Sequence, residues 1–212
     1  MRKILLFLAV MLPHLLKLFI YRQVMGWEIG KQVKIGFSYI DCDQVFMGDN
    51  IRIRHFNIIR GLKHFQVGSN SYIANFNEFF GNNSSDEKWK NDLTLGEGVL
   101  VMSHHFIDVA GTVTIGSHTT IAGRNTQVWS HSLTYPQDIP ALVPMDVSIG
   151  KEAYIGARST LIGCSIPDRA VIGAGSVVNK SFAAESCRLL IAGNPATIKK
   201  RYDNSIIIDR QE

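Results

Sequence analysis

The sequence predicts an all-β protein folded as a parallel β-helix. Aliphatic residues return every five or six positions between residues 147 and 180, and a small residue usually follows them. An amphipathic helix repeats every three or four residues and an ordinary strand every two, so neither explains this spacing. In a parallel β-helix each hexapeptide supplies one short strand and one corner, and three hexapeptides complete a coil. The inward-facing aliphatic residues of this stretch are Ile149, Ile155, Leu161, Ile166, Ile172 and Val178.

The same period covers most of the remaining chain, in a less regular form. Counting all predicted strands gives about 21, or about seven coils. Polar residues interrupt the period at 81–92, and a proline-rich stretch interrupts it at 132–146, so we expect two loops there. The earlier inward-facing positions are predicted at Ile29, Ile35, Asp41, Met47, Ile53, Ile59, Val67, Ile73, Phe79, Leu95, Val101, Ile107, Ile115, Ile121 and Gln127.

Residues 1–25 are predicted to form an apolar or amphipathic helix ahead of a β-helix domain at 26–196. This segment carries no small-residue cleavage site, and polar residues interrupt its apolar run. It would either lie in a membrane interface or cap the first coil. We favour the membrane, with Arg2, Lys3, Lys17 and Arg22 as anchors. Residues 197–212 form a charged tail that could hold a short final helix.

Composition narrows the function only modestly. The chain is 46% hydrophobic and 19% charged, which is ordinary for a globular protein. Its net charge of +4 comes without a basic stripe with interleaved aromatic residues, so we expect no nucleic-acid partner. Three cysteines without metal-ligand spacing indicate a reducing compartment, and hence the cytoplasm, including the inner face of the cell membrane.

Three C-terminal segments, VSIGKEAYIGARSTLI, AVIGAGSVVNK and IAGNPA, resemble the hexapeptide-repeat acyltransferases in order and spacing. The likeness is to the sugar O-acetyltransferases, and the segments SYI, HFNIIRGL and HHFIDVAG resemble a bacterial subgroup for surface polysaccharides. The resemblance implies a left-handed β-helix, a homotrimer, acetyl-CoA in a groove between subunits and a glycan precursor as acceptor.

Transfer of an acetyl group to a hydroxyl requires a base, and histidine titrates close to neutral pH. His131 stands where the chain leaves the coil for the proline-rich loop, and its placement resembles that of the family's catalytic histidine. His105 is the second candidate for the base, or else an acceptor contact. Asp108 either orients a histidine or caps a turn. The resemblance places His104 and Asn125 near the acceptor.

The resemblance also assigns a coenzyme site in the C-terminal coils. Small residues there would admit the thin pantetheine arm, although the corners of a β-helix need small residues as well. Tyr154 stands where the family often has tryptophan, and Pro195 resembles its proline near the adenine. The predicted coenzyme contacts are Tyr154, Gly156, Ala157, Ala174, Gly175, Asn179, Lys180, Pro195 and Lys199.

Three alternatives remain at this point. A zinc carbonic anhydrase of related fold needs a histidine pair at a spacing that this chain lacks, so we expect no metal. A non-catalytic scaffold is compatible with the fold, because a fold does not fix an activity. An N-acetyltransferase acting on an amino sugar would use the same base and the same coenzyme.

Overall fold

The computed structural model describes residues 2–134, 140–185 and 187–202. Two helices, α1 (Arg2–Met11) and α2 (His14–Phe19), open the chain, and a π-helical turn (Ile20–Val24) follows α2. Pro13 lies between the helices, because its ring is compatible with a helix start and not with a helix interior.

Short strands joined by tight corners form the body of the protein. The first are β1 (Glu28–Ile29), β2 (Lys34–Ile35), β3 (Tyr39–Met47), β4 (Arg52–Ile53), β5 (Ile58–Val67), β6 (Tyr72–Ile73), β7 (Glu78–Phe80), β8 (Asp92–Leu95), β9 (Leu100–Val101), β10 (Phe106–Asp108), β11 (Thr112–Ile115), β12 (Thr120–Ile121) and β13 (Gln127–Trp129). The others are β14 (His131–Leu133), β15 (Leu142–Pro144), β16 (Val147–Ile149), β17 (Tyr154–Ile155), β18 (Thr160–Ile162), β19 (Ser165–Ile166), β20 (Val171–Ile172), β21 (Val177–Val178), β22 (Arg188–Gly193) and β23 (Ala196–Tyr202).

Parallel pairing arranges these strands into three faces around a common core. Face A contains β3, β5, β7, β10, β13, β18 and β21, and face B contains β1, β3, β5, β8, β11, β16 and β19. Face C contains β2, β4, β6, β9, β12, β17, β20 and β22. β3 and β5 bend round the corner between faces A and B and join them into one sheet. Within the described residues the strands complete seven coils, which fits the predicted parallel β-helix.

The predicted inward positions are correct except at two places. Ile40, and not Asp41, faces the core of the first coil, where it pairs with Ile59. Val128, and not the exposed Gln127, faces the core of the fifth coil. That coil holds one extra residue between its inward positions, and two corner residues with positive φ, Gly123 and Asn125, absorb it. A count at fixed period therefore misses both positions by one residue.

A ladder of buried polar residues runs inside the corner between faces C and A. Each member bonds to a neighbouring coil: Asn57 Nδ2 donates to Ser38 Oγ, and the Asn77 and His105 backbone N–H groups donate to Asn57 Oδ1 and Asn77 Oδ1. Buried polar groups need such partners, so the ladder fixes how the coils stack. The ladder consists of Ser38, Asn57, Asn77, His105, Thr126, Ser159 and Ser176.

The N-terminal helices cap the first coil with three basic side chains. Lys17 is 2% exposed, and its Nζ donates to the Gly36 carbonyl at 2.7 Å. Arg22 donates to the Ile29 and Gly30 carbonyls at 2.9 and 2.7 Å, and Arg2 donates to the Cys42 carbonyl. These carbonyls lie on the coil edge, which has no further strand to bond. Arg2, Lys17 and Arg22, which were predicted as membrane anchors, thus bond to carbonyls of the coil.

The opposite side of these helices remains apolar and exposed. Phe7 is 66% exposed, Leu15 79% and Phe19 60%, whereas Leu6 on the capping side is fully buried. No helix in the described part of the chain combines the length and the apolarity that a membrane crossing requires.

Two predicted irregular segments contain strands. β14 and β15 pair antiparallel inside the predicted loop at 132–146, and residues 135–139 between them lie outside the described residues. β23 pairs antiparallel with β22 after a turn at Pro195. The predicted final helix is therefore wrong for 196–202, because the backbone N–H and C=O groups of this segment pair with face C as a strand. Residues 203–212 lie outside the described part of the chain.

Candidate active site

His131 and Asp108 meet at the edge of face A, next to the β14–β15 hairpin. Coil stacking brings them together although 23 residues separate them in the sequence. His131 Nδ1 lies 2.8 Å from Asp108 Oδ2, and the two side chains are 29% and 10% exposed. A carboxylate accepts hydrogen bonds, so Nδ1 carries a proton, and in the neutral ring Nε2 is then the nitrogen with the free lone pair. The pair has the geometry of a general base and its orienting carboxylate.

Ser130 holds this carboxylate in place, and the sequence analysis did not identify it. Its backbone N–H donates to Asp108 Oδ2 at 2.9 Å, and its hydroxyl lies 2.8 Å from the same oxygen. The Gly111 N–H donates to Ser130 Oγ at 3.0 Å. Asp108 thus contacts both the candidate base and the backbone N–H of Ser130, the two kinds of contact weighed for it. Counting strands from Ile107 to Val128 would have placed Ser130 near Asp108.

A second histidine–carboxylate pair lies on face B. His64 Nδ1 contacts Asp92 Oδ1, but the two side chains are 55% and 32% exposed. Solvent competes for this contact, and exposed ion pairs that water screens contribute little to stability. The His64 pair is therefore the weaker candidate for a base and a useful experimental control.

His105 belongs to the buried polar ladder and does not reach a substrate. It is 2% exposed, and its Nδ1 accepts the Thr126 N–H at 3.1 Å. Burial, with a smaller effect of the neighbouring His104, lowers the pKa of His105 to about 4. The position corresponds to Asn57 and Asn77 in earlier coils. The predicted role of His105 as second base or acceptor contact does not agree with this burial. One sequence signal could have predicted this burial: His105 is a polar residue four positions after an inward aliphatic residue, as Asn57 and Asn77 are.

We predict that His105 makes stability depend on pH. The unfolded chain binds this proton below its ordinary pKa of 6.5 and the folded chain only below about 4. Stability is therefore full above pH 6.5 and falls as the pH decreases toward 4, by about 2 to 3 kcal/mol at pH 4.5. In urea unfolding, His105→Asn should reduce the loss of unfolding free energy between pH 7 and pH 4.5 by this amount.

The substitution conserves the ladder because asparagine already occupies this position in two coils. Exposed His118→Asn is the matched control and should behave like the wild type. An equal pH dependence in His105→Asn and wild type would contradict the prediction.

A second line of predicted residues follows the outer side of the corner between faces C and A. His104, Asn125 and Gly175 occupy equivalent corner positions with positive φ, at 62°, 62° and 70°. His104 stacks on Phe76 with ring centroids 4.9 Å apart. The half-buried Ala157 and the exposed Ala174 directly precede the corner positions of their coils. The acceptor and coenzyme predictions thus share one column, named here the corner column.

Gly156 and Gly175 differ in what their surroundings require. A Cβ on Gly156 would lie 2.6 Å from the Ala174 backbone nitrogen, so coil packing demands glycine there. A Cβ on Gly175 would meet no atom within 4 Å. The space beside Gly175 is therefore open to a ligand, whereas Gly156 is accounted for by the fold.

The other predicted coenzyme residues lie at the C-terminal end of the coil. Tyr154 is 49% exposed on face C, next to the corner column. Asn179 and Lys180 follow β21 and are exposed. Pro195 and Lys199, also exposed, belong to the β22–β23 turn and to β23.

The described residues of one chain do not bring the base and the corner column together. Asn125 precedes β13 and His131 follows it, so the width of face A separates them. Six residues of extended chain span at most about 20 Å. The described residues also contain no group of three or more His, Cys, Asp or Glu side chains that could hold a metal ion.

The sequence matches a family model described as the hexapeptide repeat of succinyl-transferase over residues 146–180. This match covers the most regular coils and not the histidine pair. No curated protein sequence matches the chain.

Solved structures with similar folds include several acyltransferases. An N-acyltransferase variant from Bacillus cereus, in complex with dTDP-4-amino-4,6-dideoxyglucose and coenzyme A, is 17% identical, with a TM-score of 0.56 over 85% of this chain and 86% of that one. A hexapeptide-repeat acetyltransferase from Vibrio cholerae O1 biovar eltor, complexed with acetyl-CoA, is 22% identical, with a TM-score of 0.52 over 64% and 69%. A maltose O-acetyltransferase from Clostridium difficile 630 is 21% identical, with a TM-score of 0.51 over 63% and 68%. At these identities the similarity concerns the fold.

Proposed function

We propose that this protein is an acyl-CoA-dependent acyltransferase that moves an acetyl group from acetyl-CoA to a hydroxyl of a sugar in a bacterial polysaccharide or its precursor. The observation that carries the proposal is the 2.8 Å contact between His131 Nδ1 and Asp108 Oδ2, which directs the ring so that Nε2 is the nitrogen available to an acceptor. The coenzyme A and acetyl-CoA complexes of proteins with similar folds support it.

His131 acts as general base in a direct transfer. Its Nε2 takes the acceptor hydroxyl proton while the hydroxyl oxygen attacks the thioester carbonyl carbon. The carbon–sulfur bond then breaks, and the departing coenzyme thiolate takes the proton from the imidazolium. Asp108 stabilises that imidazolium, and the Ser130 hydrogen bonds keep the carboxylate oriented.

The corner column binds the pantetheine arm, and a neighbouring subunit completes the site. This division is supported by the position of His131 and the corner column at opposite edges of face A. A homotrimer with one groove at each interface would bring the two edges together, with His104 and Asn125 toward the acceptor and Lys180 or Lys199 toward the coenzyme phosphates. The left-handed winding of the coil is part of the same proposal.

Gly175→Phe tests the coenzyme site. Phe56 and Phe76 occupy the equivalent corner positions of earlier coils, so the fold accepts this side chain, which would fill the open space beside Gly175. We expect coenzyme A affinity to fall at least about tenfold, or 1.4 kcal/mol, in calorimetric titrations.

Gly26→Phe is the matched control for this substitution. Gly26 also has a φ of 70° and no atom within 4 Å of an added Cβ, but it lies at the other end of the coil. It should leave coenzyme affinity unchanged. Absence of coenzyme binding to the folded wild type would contradict the proposed function. Unchanged binding in Gly175→Phe would mean that the coenzyme site lies elsewhere on the protein.

An amine acceptor is the second candidate, supported by the fold similarity to an N-acyltransferase with a bound amino-sugar nucleotide. An amine that is already neutral needs less help from a base than a hydroxyl does. An acceptor screen with matched hydroxyl and amino sugars, repeated with His131→Asn, separates the candidates because only the hydroxyl reaction should depend strongly on the base.

We also propose peripheral contact of the N-terminal helices with the inner face of the cell membrane. The exposed apolar side chains of Phe7, Leu15 and Phe19 support this contact, while Lys3 is the predicted anchor whose charge does not cap the coil.

A further inference from the structure

A polar cavity of about 400 Å³ lies between the start of α1, the corner of faces A and B, and the loop that follows β7. Four basic residues, Arg2, Lys3, Arg60 and Lys63, and two acidic residues, Asp41 and Asp43, line it. Four positive and two negative charges leave an excess of two positive charges. The wall also carries amide side chains, including Asn83.

Arg60 differs from two other cations of this cavity because no described residue accepts a hydrogen bond from its guanidinium. Arg2 pairs with Asp41 at 3.1 Å, and Lys63 donates to the Trp89 carbonyl at 2.8 Å. The Arg60 guanidinium instead lies over the Phe80 ring, 4.4 Å from its centroid, and has no acidic partner among the described residues. An exposed guanidinium with its planar set of donors unused is suited to a carboxylate or phosphate.

A row of aromatic rings leads along face A from Arg60 to His131. Phe80 meets Phe106 edge to face at 5.7 Å, and Phe106 lies 5.0 Å from Trp129. Trp129 lies 5.9 Å from the His131 ring. Arg60 is on β5 and Trp129 on β13, with β7 and β10 between them, so three strand spacings separate the ends, or about 14 Å.

This row connects the Arg60 guanidinium to the candidate base. The carbon–hydrogen faces of sugar rings pack well against aromatic side chains, which present large apolar surfaces. Hydroxyl groups could bond to the amides of the cavity. The arrangement therefore suits a sugar that carries a negative charge at one end.

We propose that the cavity binds an anionic group of the acceptor, a phosphate or a carboxylate, at Arg60, at the end of the aromatic row opposite His131. The inference rests on the proposed function, and it restricts the acceptor to charged sugars or sugar phosphates.

Calorimetric titration of two probes tests the anion site. Inorganic pyrophosphate and glucuronate are titrated separately into protein already saturated with coenzyme A, so that the coenzyme phosphate site is occupied. We expect saturable binding of at least one probe. Arg60→Gln should weaken it at least about tenfold, and Arg60→Lys, which keeps the charge without the planar donors, should weaken it less.

Arg52→Gln is the matched control, because Arg52 is also an exposed arginine but lies on face C. The Arg52→Gln variant should bind each probe as tightly as the wild type does. Binding of pyrophosphate alone assigns a phosphate, binding of glucuronate alone assigns a carboxylate, and binding of both assigns a general anion site. Failure of both probes with the folded wild type, or equal binding in Arg60→Gln, would overturn the inference.

The test separates this inference from the proposed function. If coenzyme A does not bind, the proposed function fails, and the same two probes titrated into protein without coenzyme still report on the cavity. If coenzyme A binds and neither probe does, only the acceptor inference fails. Where transfer is measurable, a bound probe should inhibit competitively against the acceptor and not against acetyl-CoA; any other pattern would contradict the acceptor role.

Discussion

His131→Asn is expected to lower kcat for acetyl transfer by about 10² to 10⁴-fold, the usual contribution of a general base. Asparagine can still bond to Asp108 but cannot take a proton from the acceptor. Coenzyme A affinity should remain within about twofold of the wild type, because the proposed role of His131 is to take the acceptor proton, whereas the corner column binds the pantetheine arm. Single-turnover kinetics with the best acceptor from the screen would measure both effects.

His64→Asn is the matched control for this experiment, because His64 also contacts a carboxylate, Asp92, on a different face. It should leave kcat unchanged. The double variant His131→Asn/Asp108→Asn should be no slower than His131→Asn, because the two residues act as one unit. Full loss of activity in His64→Asn, with activity retained in His131→Asn, would assign the role of general base to His64 instead.

Deletion of residues 2–24 is expected to prevent folding of the coil. The helices bury Leu6 and Tyr21 completely, and their basic side chains bond to edge carbonyls of the first coil. Removing them exposes that core and leaves the carbonyls without partners. Circular dichroism and gel filtration should show loss of folded protein, not release of a soluble coil.

Single substitutions separate capping from membrane contact. Leu6→Gln should lower the free energy of unfolding by about 2 to 5 kcal/mol, the range for loss of a buried leucine. Phe7→Gln, on the exposed side of the same helix, should leave stability nearly unchanged and weaken sedimentation with anionic vesicles. Unchanged sedimentation in a Phe7→Gln/Leu15→Gln/Phe19→Gln variant would contradict the membrane proposal.

The coil could be predicted from the sequence because its core depends on one repeated local relation. Every inward aliphatic residue stacks on its counterpart one coil away, so the period appears directly in the sequence. The two errors, at Asp41 and Gln127, arise where a coil gains or loses one residue at a corner. A fixed period cannot represent such a change, although Gly123 in the fifth coil marks one of these corners.

The candidate site was predicted less completely, because its contacts join different coils. His131 and Asp108 were both identified, but their contact depends on the stacking of the fourth coil on the fifth. His105 was predicted as a second base or an acceptor contact because it lies near the place where the resembling family binds its acceptor. The ladder formed with Asn77 and Thr126 turns His105 inward instead. The final strand was missed because only its pairing with β22 stabilises it.

The cap on the first coil also limits how copies of this protein can associate. At that end, basic side chains of the N-terminal segment occupy backbone carbonyls that another chain's strand would need. At the other end, β23 covers face C, whereas β19 and β21 are the last described strands of faces B and A. An open β-helix end invites end-to-end addition. Capping of the first coil removes one of the two surfaces that such addition requires and so opposes fibre growth.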